Sequence, residues 1–253
     1  MRMRIDSNPF IEEIFNKKCG RLFIDPENLN RESYVLTFKE KVKELRYPYQ
    51  FIECILPTDA LAVAVALFSI DFILVCIQTI FEKSLENLVS QNLGNIRRPE
   101  PSEYPAIAQV AGDSFKFDRY SQDQQLPKAS IKALYSQWIK NSLSGSVDFV
   151  LTDGSSFCSC KKIGREGWID LIAVPENKRG KGIGKRLVLA SLWELKQRGC
   201  DFCKVKTELL NLGGVRLYEG LGFKLFDSCL ALHWHGDLKS IEKNLSRRVL
   251  QLE

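Results

Sequence analysis

The chain has 253 residues, of which 45% are hydrophobic and 26% charged, and its 36 basic and 31 acidic side chains leave a net charge of +5. This is the composition of an ordinary folded protein with room for one large domain or two small ones. Most of the positive excess falls at 178–186 and near the end of the chain, so a nucleic-acid partner, which would call for a basic stripe with exposed aromatics, is not expected.

Met1-Arg-Met-Arg-Ile-Asp6 opens with charge, and no apolar run with a small-residue cleavage site follows. No secretory leader is therefore expected, and the compartment reads as a reducing cytoplasm. Residues 1–90 read as a small N-terminal α/β domain. Its most apolar stretch, Ala60 to Phe81, is interrupted by Asp71, Gln78 and a change from helical to strand-like pattern. It falls short of a membrane span of about 20 residues and reads as buried core. Ala66–Cys76 also echoes Leu217–Asp227, with Phe72 on Phe223, Ile70 on Leu221 and Leu74 on Leu225. The echo predicts a degenerate half-copy of the C-terminal fold that lacks a cofactor site.

A break follows at 92–105, with Pro99, Pro101 and Pro105 among several turn formers. Beyond it the pattern predicts a short strand at Asn95–Arg98, a helix at Pro105–Ser114 and a polar loop from Asp118 to Pro127. An amphipathic helix is expected over Lys128–Leu143, where Ile131, Leu134, Tyr135, Trp138 and Ile139 recur at helical spacing. Strands are expected at Val147–Thr152, Ser156–Lys162 and Trp168–Val174, then a helix at Ile183–Arg198 and a strand at Phe202–Leu209. A short helix over Gly213–Gly220, paired strands through Trp234 and a charged helical tail at 237–253 complete the reading. Strand–helix alternation around an antiparallel centre makes the class α/β.

Eight cysteines in a chain of this length do not make a disulfide scaffold. Cys158-Ser-Cys160 and Cys200-x-x-Cys203 lack the second pair that a zinc site needs, and His233 and His235 sit in a strand-like run. No metal is expected.

Val174-Pro-Glu-Asn-Lys-Arg-Gly-Lys-Gly-Ile-Gly184 joins a strand to a helix. Gly180, Gly182 and Gly184 let bare backbone N–H groups approach a ligand, and the helix N-terminus adds unsatisfied donors. Lys178, Arg179, Lys181, Lys185 and Arg186 surround the same point with positive charge. The combination suits a pyrophosphate. The loop lacks the Gly-Lys-Ser/Thr ending of a nucleotide triphosphatase. As a dinucleotide fingerprint it has Lys185 where the third glycine belongs. The second motif is Asn211-Leu-Gly-Gly-Val-Arg-Leu-Tyr218-Glu-Gly-Leu-Gly-Phe223, whose helix would put Asn211 and Tyr218 two turns apart on one side.

Arg179-Gly-Lys-Gly-Ile-Gly184 resembles the Gln/Arg-x-x-Gly-x-Gly/Ala signature of the GNAT N-acetyltransferase superfamily, and 211–223 resembles its Asn-x-x-Ala/Gly-x-x-x-Tyr-x-x-x-Gly-Phe pattern, with Gly214 where alanine is more usual. The resemblance implies a GNAT fold over 91–236, a mixed, mostly antiparallel twisted sheet flanked by helices, with acetyl-CoA as co-substrate. It implies that Arg179, Gly180, Lys181, Gly182, Ile183 and Gly184 cradle the pyrophosphate and that Asn211 contacts the pantetheine arm. The backbone at Ile172, Ala173 and Val174 would meet the thioester, and Tyr218 would be the general acid. Asp170 and Glu208 are both candidates for the base, with water as a third.

Ser114-Phe-Lys-Phe-Asp-Arg-Tyr120 and Tyr135-Ser-Gln-Trp-Ile-Lys-Asn-Ser142 resemble the matching segments of the dTDP-fucosamine acetyltransferase family. Those enzymes acetylate the amine of a nucleotide-linked 4-amino-4,6-dideoxy sugar. The resemblance implies such an acceptor, with Asp118 and Arg119 as contacts, although Lys116–Tyr120 departs from the family pattern where the acceptor would lie. A protein or peptide amine as acceptor and a catalytically silent cofactor-binding module stay open as alternatives. So does pairing of two copies into a homodimer, without membrane insertion.

Overall fold

The computed structural model describes residues 3–24, 32–90 and 93–236, with the backbone alone at 32–36. The predicted tail at 237–253 lies outside the described residues. The chain divides into two compact units, Met1–Val75 with Leu230–Glu253, and Cys76–Cys229. The first unit includes the end of the last strand.

In the first unit β1 (Met3–Ser7) runs antiparallel to β2 (Cys19–Ile24), which pairs in parallel with β3 (Phe51–Pro57). Between them lie α1 (Pro9–Phe15), capped by Asn8, whose Oδ1 accepts from Ile11 N, and α2 (Glu32–Leu45). Next come α3 (Leu61–Phe68) and the start of β4 (Ile73–Ser84), a strand that continues into the second unit. Phe51, Ile52, Leu22 and Leu67 are fully buried. Glu53 is buried too, its charge matched by the Arg21 guanidinium at 2.6 Å. The helix-to-strand change expected inside Ala60–Phe81 is thus the turn from α3 into β4, where Asp71 takes a left-handed conformation at φ 74°.

The second unit carries α4 (Tyr104–Ser114), α5 (Arg119–Gln122), α6 (Lys128–Asn141), β5 (Phe149–Thr152), β6 (Phe157–Ile163) and β7 (Glu166–Ala173). It continues through α7 (Ile183–Gln197), β8 (Phe202–Glu208) and α8 (Leu212–Gly220) into β9 (Lys224–His235). Its sheet runs β4-β8-β7-β6-β5. Only β7 and β8, joined by the α7 crossover, are parallel in that run. Leu187, Val188, Leu192 and Leu195 of α7 bury one helical face against Cys158, Cys160, Ile169 and Val205 of the sheet. Contact is close at Gly167, where an added Cβ would lie 2.6 Å from Leu195. Gly199, at φ 78°, stops α7, and Cys200 N returns to Leu195 O at 3.1 Å.

Three expectations change. Asn95–Arg98 contributes a lone bridge, Arg97 with Thr152, in place of a strand. The polar stretch after Asp118 contains α5, because the Asp118 carboxylate caps the backbone amides of Tyr120 and Ser121. The paired strands expected through Trp234 are one twelve-residue strand, since no glycine or proline interrupts 224–235.

One regularity joins the two units' sequences. α2, β3, α3 and β4 begin at 32, 51, 61 and 73, and α7, β8, α8 and β9 begin at 183, 202, 212 and 224, a constant spacing of 151. The left-handed Asp71 falls on Gly222, whose φ is 81°. Phe72 and Phe223, the next pair, are both buried.

Candidate active site

The site begins with a strand that carries one residue too many. β6 and β7 pair as Ser159 with Leu171 and then Cys160 with Ile169, which leaves Asp170 as a bulge. A bulge bends and further twists its strand. β7 and β8 pair from Glu166–Phe202 to Ile169–Val205 and no further. Beyond that point Leu171–Ala173 and Lys206–Glu208 face a gap. A cavity of about 530 Å³ opens at this splayed end.

The glycine loop forms one part of its wall. Gly180 and Gly182 have φ of 75° and 73°, and Gly182 is the residue from which α7 starts. A side chain at either position would be strained. The first amides of α7 therefore stand open beside Ile183 and Gly184. Arg179 ties the loop to the end of β7 through Nε to Val174 O at 3.1 Å, and Lys178 donates to Ser155 Oγ at 2.7 Å. Lys178, Arg179 and Lys185 all line the cavity. Open amides and three cations make this wall fit to hold the phosphates of acetyl-CoA.

Another part of the wall is α8. Asn211 caps it, with Oδ1 accepting from Gly214 N at 3.2 Å while Nδ2 donates to Thr207 Oγ1 at 3.0 Å. Two turns on, Tyr218 also faces the cavity and is almost fully buried. Burial pushes its phenol above the ordinary value of 10, so it is protonated throughout the neutral range and able to donate a proton.

The two carboxylates considered for the base differ. Asp170, the bulged residue, is held by Lys161 Nζ at 2.7 Å and Trp138 Nε1 at 3.0 Å, and it does not line the cavity. Glu208, at the end of β8, does. Burial raises its pKa above 4.5, and the charge of Asp118 adds to this. A hydrogen bond from Gln78 Nε2 at 3.0 Å and the charge of Arg119 act in the opposite direction.

Of the expected cofactor residues, Ile172, Ala173, Val174, Arg179, Gly180, Gly182, Ile183, Gly184 and Asn211 come together on this wall. Lys181 does not, and its Nζ donates back to Asn177 O at 3.4 Å. Asp118 lines the cavity, whereas Arg119 lies over the Tyr120 ring, 4.4 Å from its centroid. Lys116 and Phe117, from the loop expected to face the acceptor, line it too, and so do Ser114, Phe115, Gly213, Gly214 and Leu217, which were not anticipated as site residues. Helical spacing from Asn211 would have found Gly214. Nothing local marks Phe115, which reaches the site by stacking on Tyr135 at 4.2 Å.

This is the arrangement of a GNAT acetyltransferase, and residues 114–223 match the model of the Acetyltransferase (GNAT) family. That segment has the GNAT fold. The fold agrees with solved structures across most of the chain. A GCN5-related N-acetyltransferase from Sphaerobacter thermophilus aligns over 92% of this chain and 76% of its own, at a TM-score of 0.60 and 13% identity. A tandem GNAT protein from the clavulanic acid biosynthesis pathway aligns over 86% and 75%, at 0.55 and 13%.

Among curated proteins, the chain is similar to the spore coat polysaccharide biosynthesis protein SpsD of Bacillus subtilis, with 31% identity over 144 residues, 54% of this chain and 50% of SpsD. It is also similar to N-alpha-acetyltransferase 30 of Xenopus laevis, with 40% identity over 63 residues, 25% of this chain and 23% of that protein. The chain thus spans half or less of the length of these relatives. No helix among the described residues is long and apolar enough to cross a membrane.

Proposed function

We propose that the protein transfers the acetyl group of acetyl-CoA to the primary amine of a nucleotide-linked amino sugar of the dTDP-4-amino-4,6-dideoxyhexose type. The observation that carries the acetyl transfer is the cavity at the splayed ends of β7 and β8, which has the glycine-loop amides in its wall together with a buried phenol and a half-buried carboxylate. The sugar acceptor is supported by the likeness to SpsD, which runs over 144 residues against 63 for N-alpha-acetyltransferase 30, and by the resemblance carried by Tyr135–Ser142. A protein or peptide amine is the second reading, favoured by the likeness to N-alpha-acetyltransferase 30.

In the proposed reaction Glu208 takes one proton from the acceptor ammonium, and the neutral amine attacks the thioester carbonyl. Backbone N–H groups at the end of β7, near Ile172–Val174, stabilise the oxyanion. The C–N bond forms, the C–S bond breaks, and the departing thiolate takes the Tyr218 proton. The amide nitrogen's surplus proton restores the phenol. The products are the N-acetyl sugar and coenzyme A thiol, and the proton on Glu208 returns to water. Much of the acceleration is orientation of two bound reactants.

Residues 32–84 are, in this reading, a degenerate half-copy of 183–235. The element spacing and the likeness to a tandem GNAT protein support it.

The test is thiol release from acetyl-CoA with the dTDP-4-amino sugar and, separately, with a peptide-amine panel. Release with the sugar alone, reduced roughly tenfold or more in Tyr218→Phe, is expected. Release with peptides alone moves the acceptor to the second reading. An unaffected Tyr218→Phe removes the acid assignment.

A further inference from the structure

Gln78 lies on β4 directly opposite Glu208 on β8 and is 2% exposed, at a place where an apolar side chain could be buried without any partner. Both ends of its amide are engaged. Nε2 donates to Glu208 Oε1 at 3.0 Å, and Oε1 accepts from the Cys229 thiol at 3.7 Å. A buried amide has a donor end and an acceptor end to satisfy, and each is matched here.

The thiol decides which way the amide faces. Cys229, on β9, is buried, and burial pushes its pKa up, so the sulfur keeps its proton and acts as the donor. That proton fixes Oε1 on the sulfur side and leaves the NH2 end for the carboxylate. A reversed amide would set two acceptors face to face. The contacts from Cys229 through Gln78 to Glu208 thus end in a charge-assisted hydrogen bond at the cavity wall.

Other groups also face Glu208. Asp118 and Arg119, at the start of α5, act on it through their charges, and its own backbone amide adds a hydrogen bond. Tyr218 of α8 and Cys76 of β4 lie near enough to respond to its charge. The contrast with Asp170 shows what a neutral partner does. Lys161 pairs Asp170 with a full positive charge at 2.7 Å, whereas Gln78 holds Glu208 without neutralising it. A carboxylate held in this way keeps its affinity for a proton.

Resting on the reading above in which Glu208 is the base, we propose that Gln78 is the positioning residue of that base and that Cys229 orients its amide. Gln78 holds one carboxylate oxygen through each turnover, so Glu208 meets the acceptor ammonium in a single orientation and returns to it after giving up the proton.

The test compares wild type with Gln78→Met, which keeps the length and removes the amide, with Cys229→Ala, with Cys229→Ser and with the double variant of Gln78→Met and Cys229→Ala. The Glu208 carboxyl is titrated by carbon-13 NMR in each full-length protein, its signal assigned by its loss in Glu208→Gln. The kcat/KM for the acceptor amine is measured across the acidic limb in parallel, and melting and the KM for acetyl-CoA report on the fold. Without the amide the ionised form loses a hydrogen bond. The midpoint therefore moves to higher pH in Gln78→Met, and the rate on the acidic side of the limb falls about tenfold or more. Cys229→Ala moves the midpoint the same way by less, and Cys229→Ser, which keeps a donor, moves it least. The double variant matches Gln78→Met, because the thiol acts through the amide.

An unmoved midpoint in folded Gln78→Met overturns the positioning role and leaves Glu208 as the base. A loss of rate that is equal at every pH overturns the role as well, since the contribution would then be structural. A double variant displaced beyond Gln78→Met overturns the part given to Cys229. A limb retained in Glu208→Gln overturns Glu208 as the base and the positioning role with it. A wild type silent on every amine overturns both.

Discussion

Tyr218 and Glu208 line one wall, the first buried and the second half-buried, and loss of solvent pushes both their pKa values upward. The effect on function is opposite in the two cases. A raised phenol pKa keeps the acid loaded at every working pH. A raised carboxyl pKa moves the acidic limb of the rate profile to higher pH, because the base acts only when ionised. The groups facing Glu208 set the size of that shift, with burial and Asp118 raising it and Gln78 and Arg119 lowering it. The kcat/KM is therefore expected to rise with pH through a single ionisation lying above the ordinary glutamate value of 4.5. Glu208→Gln is expected to remove that limb and to lower the rate by about 10²-fold or more. A pH–rate series on both proteins checks this, and a limb retained in Glu208→Gln would assign the base to water or to another group.

At the element scale, α8 turns on a detail of its first turn. Alanine in place of Gly214 would ordinarily favour a helix by about 1 kcal/mol. Here an added Cβ would lie 2.6 Å from Asn211 Nδ2 and 3.2 Å from Thr207 Oγ1. The helix can accept the methyl only if the Asn211 side chain leaves its place between Gly214 N and Thr207 Oγ1. The fold has little to lose, since the moving atom is the end of a side chain, but the proposed cofactor contact of Asn211 has much to lose. Gly214→Ala is expected to leave the melting temperature within a few degrees, as befits a change of about 1 kcal/mol, and to raise the KM for acetyl-CoA several-fold. A changed melting temperature with an unchanged KM would show that Asn211 acts only as a cap. The same economy appears in β7, where one extra residue, Asp170, both ends the pairing with β8 and anchors its own carboxylate on Lys161 and Trp138.

Across the whole molecule, the constant spacing of 151 pairs three residues of the proposed machinery in the second unit with residues in the first that lack their polar groups. Pro57 stands at the position of Glu208, Ala60 at that of Asn211 and Leu67 at that of Tyr218. Ala60 provides no side-chain cap to α3, and Leu67 is fully buried. Under the half-copy reading, the elements persist because their buried faces still pack, while the groups that would meet a cofactor are gone. One acetyl-CoA per chain is the expected stoichiometry by titration calorimetry. Two sites of comparable affinity would overturn that reading of residues 32–84.

The amino-acid sequence by itself determined the α/β alternation, the glycine loop and the Asn211–Tyr218 helix. Each depends on neighbours within a few residues, through hydrophobic period, turn chemistry and capping. It also carried the echo between Phe72 and Phe223, because a turn that needs a left-handed residue leaves a local mark. What only the tertiary structure decided was where the two carboxylates lie and what they meet. Asp170 and Glu208 look alike in sequence, one on a strand and the other ending the next. They separate because Asp170 meets Trp138, 32 residues away, and Glu208 meets Gln78, 130 residues away. Whether an acidic side chain is neutralised or left facing a cavity depends on partners brought together by folding, and electrostatic contacts of that kind have no period along the chain.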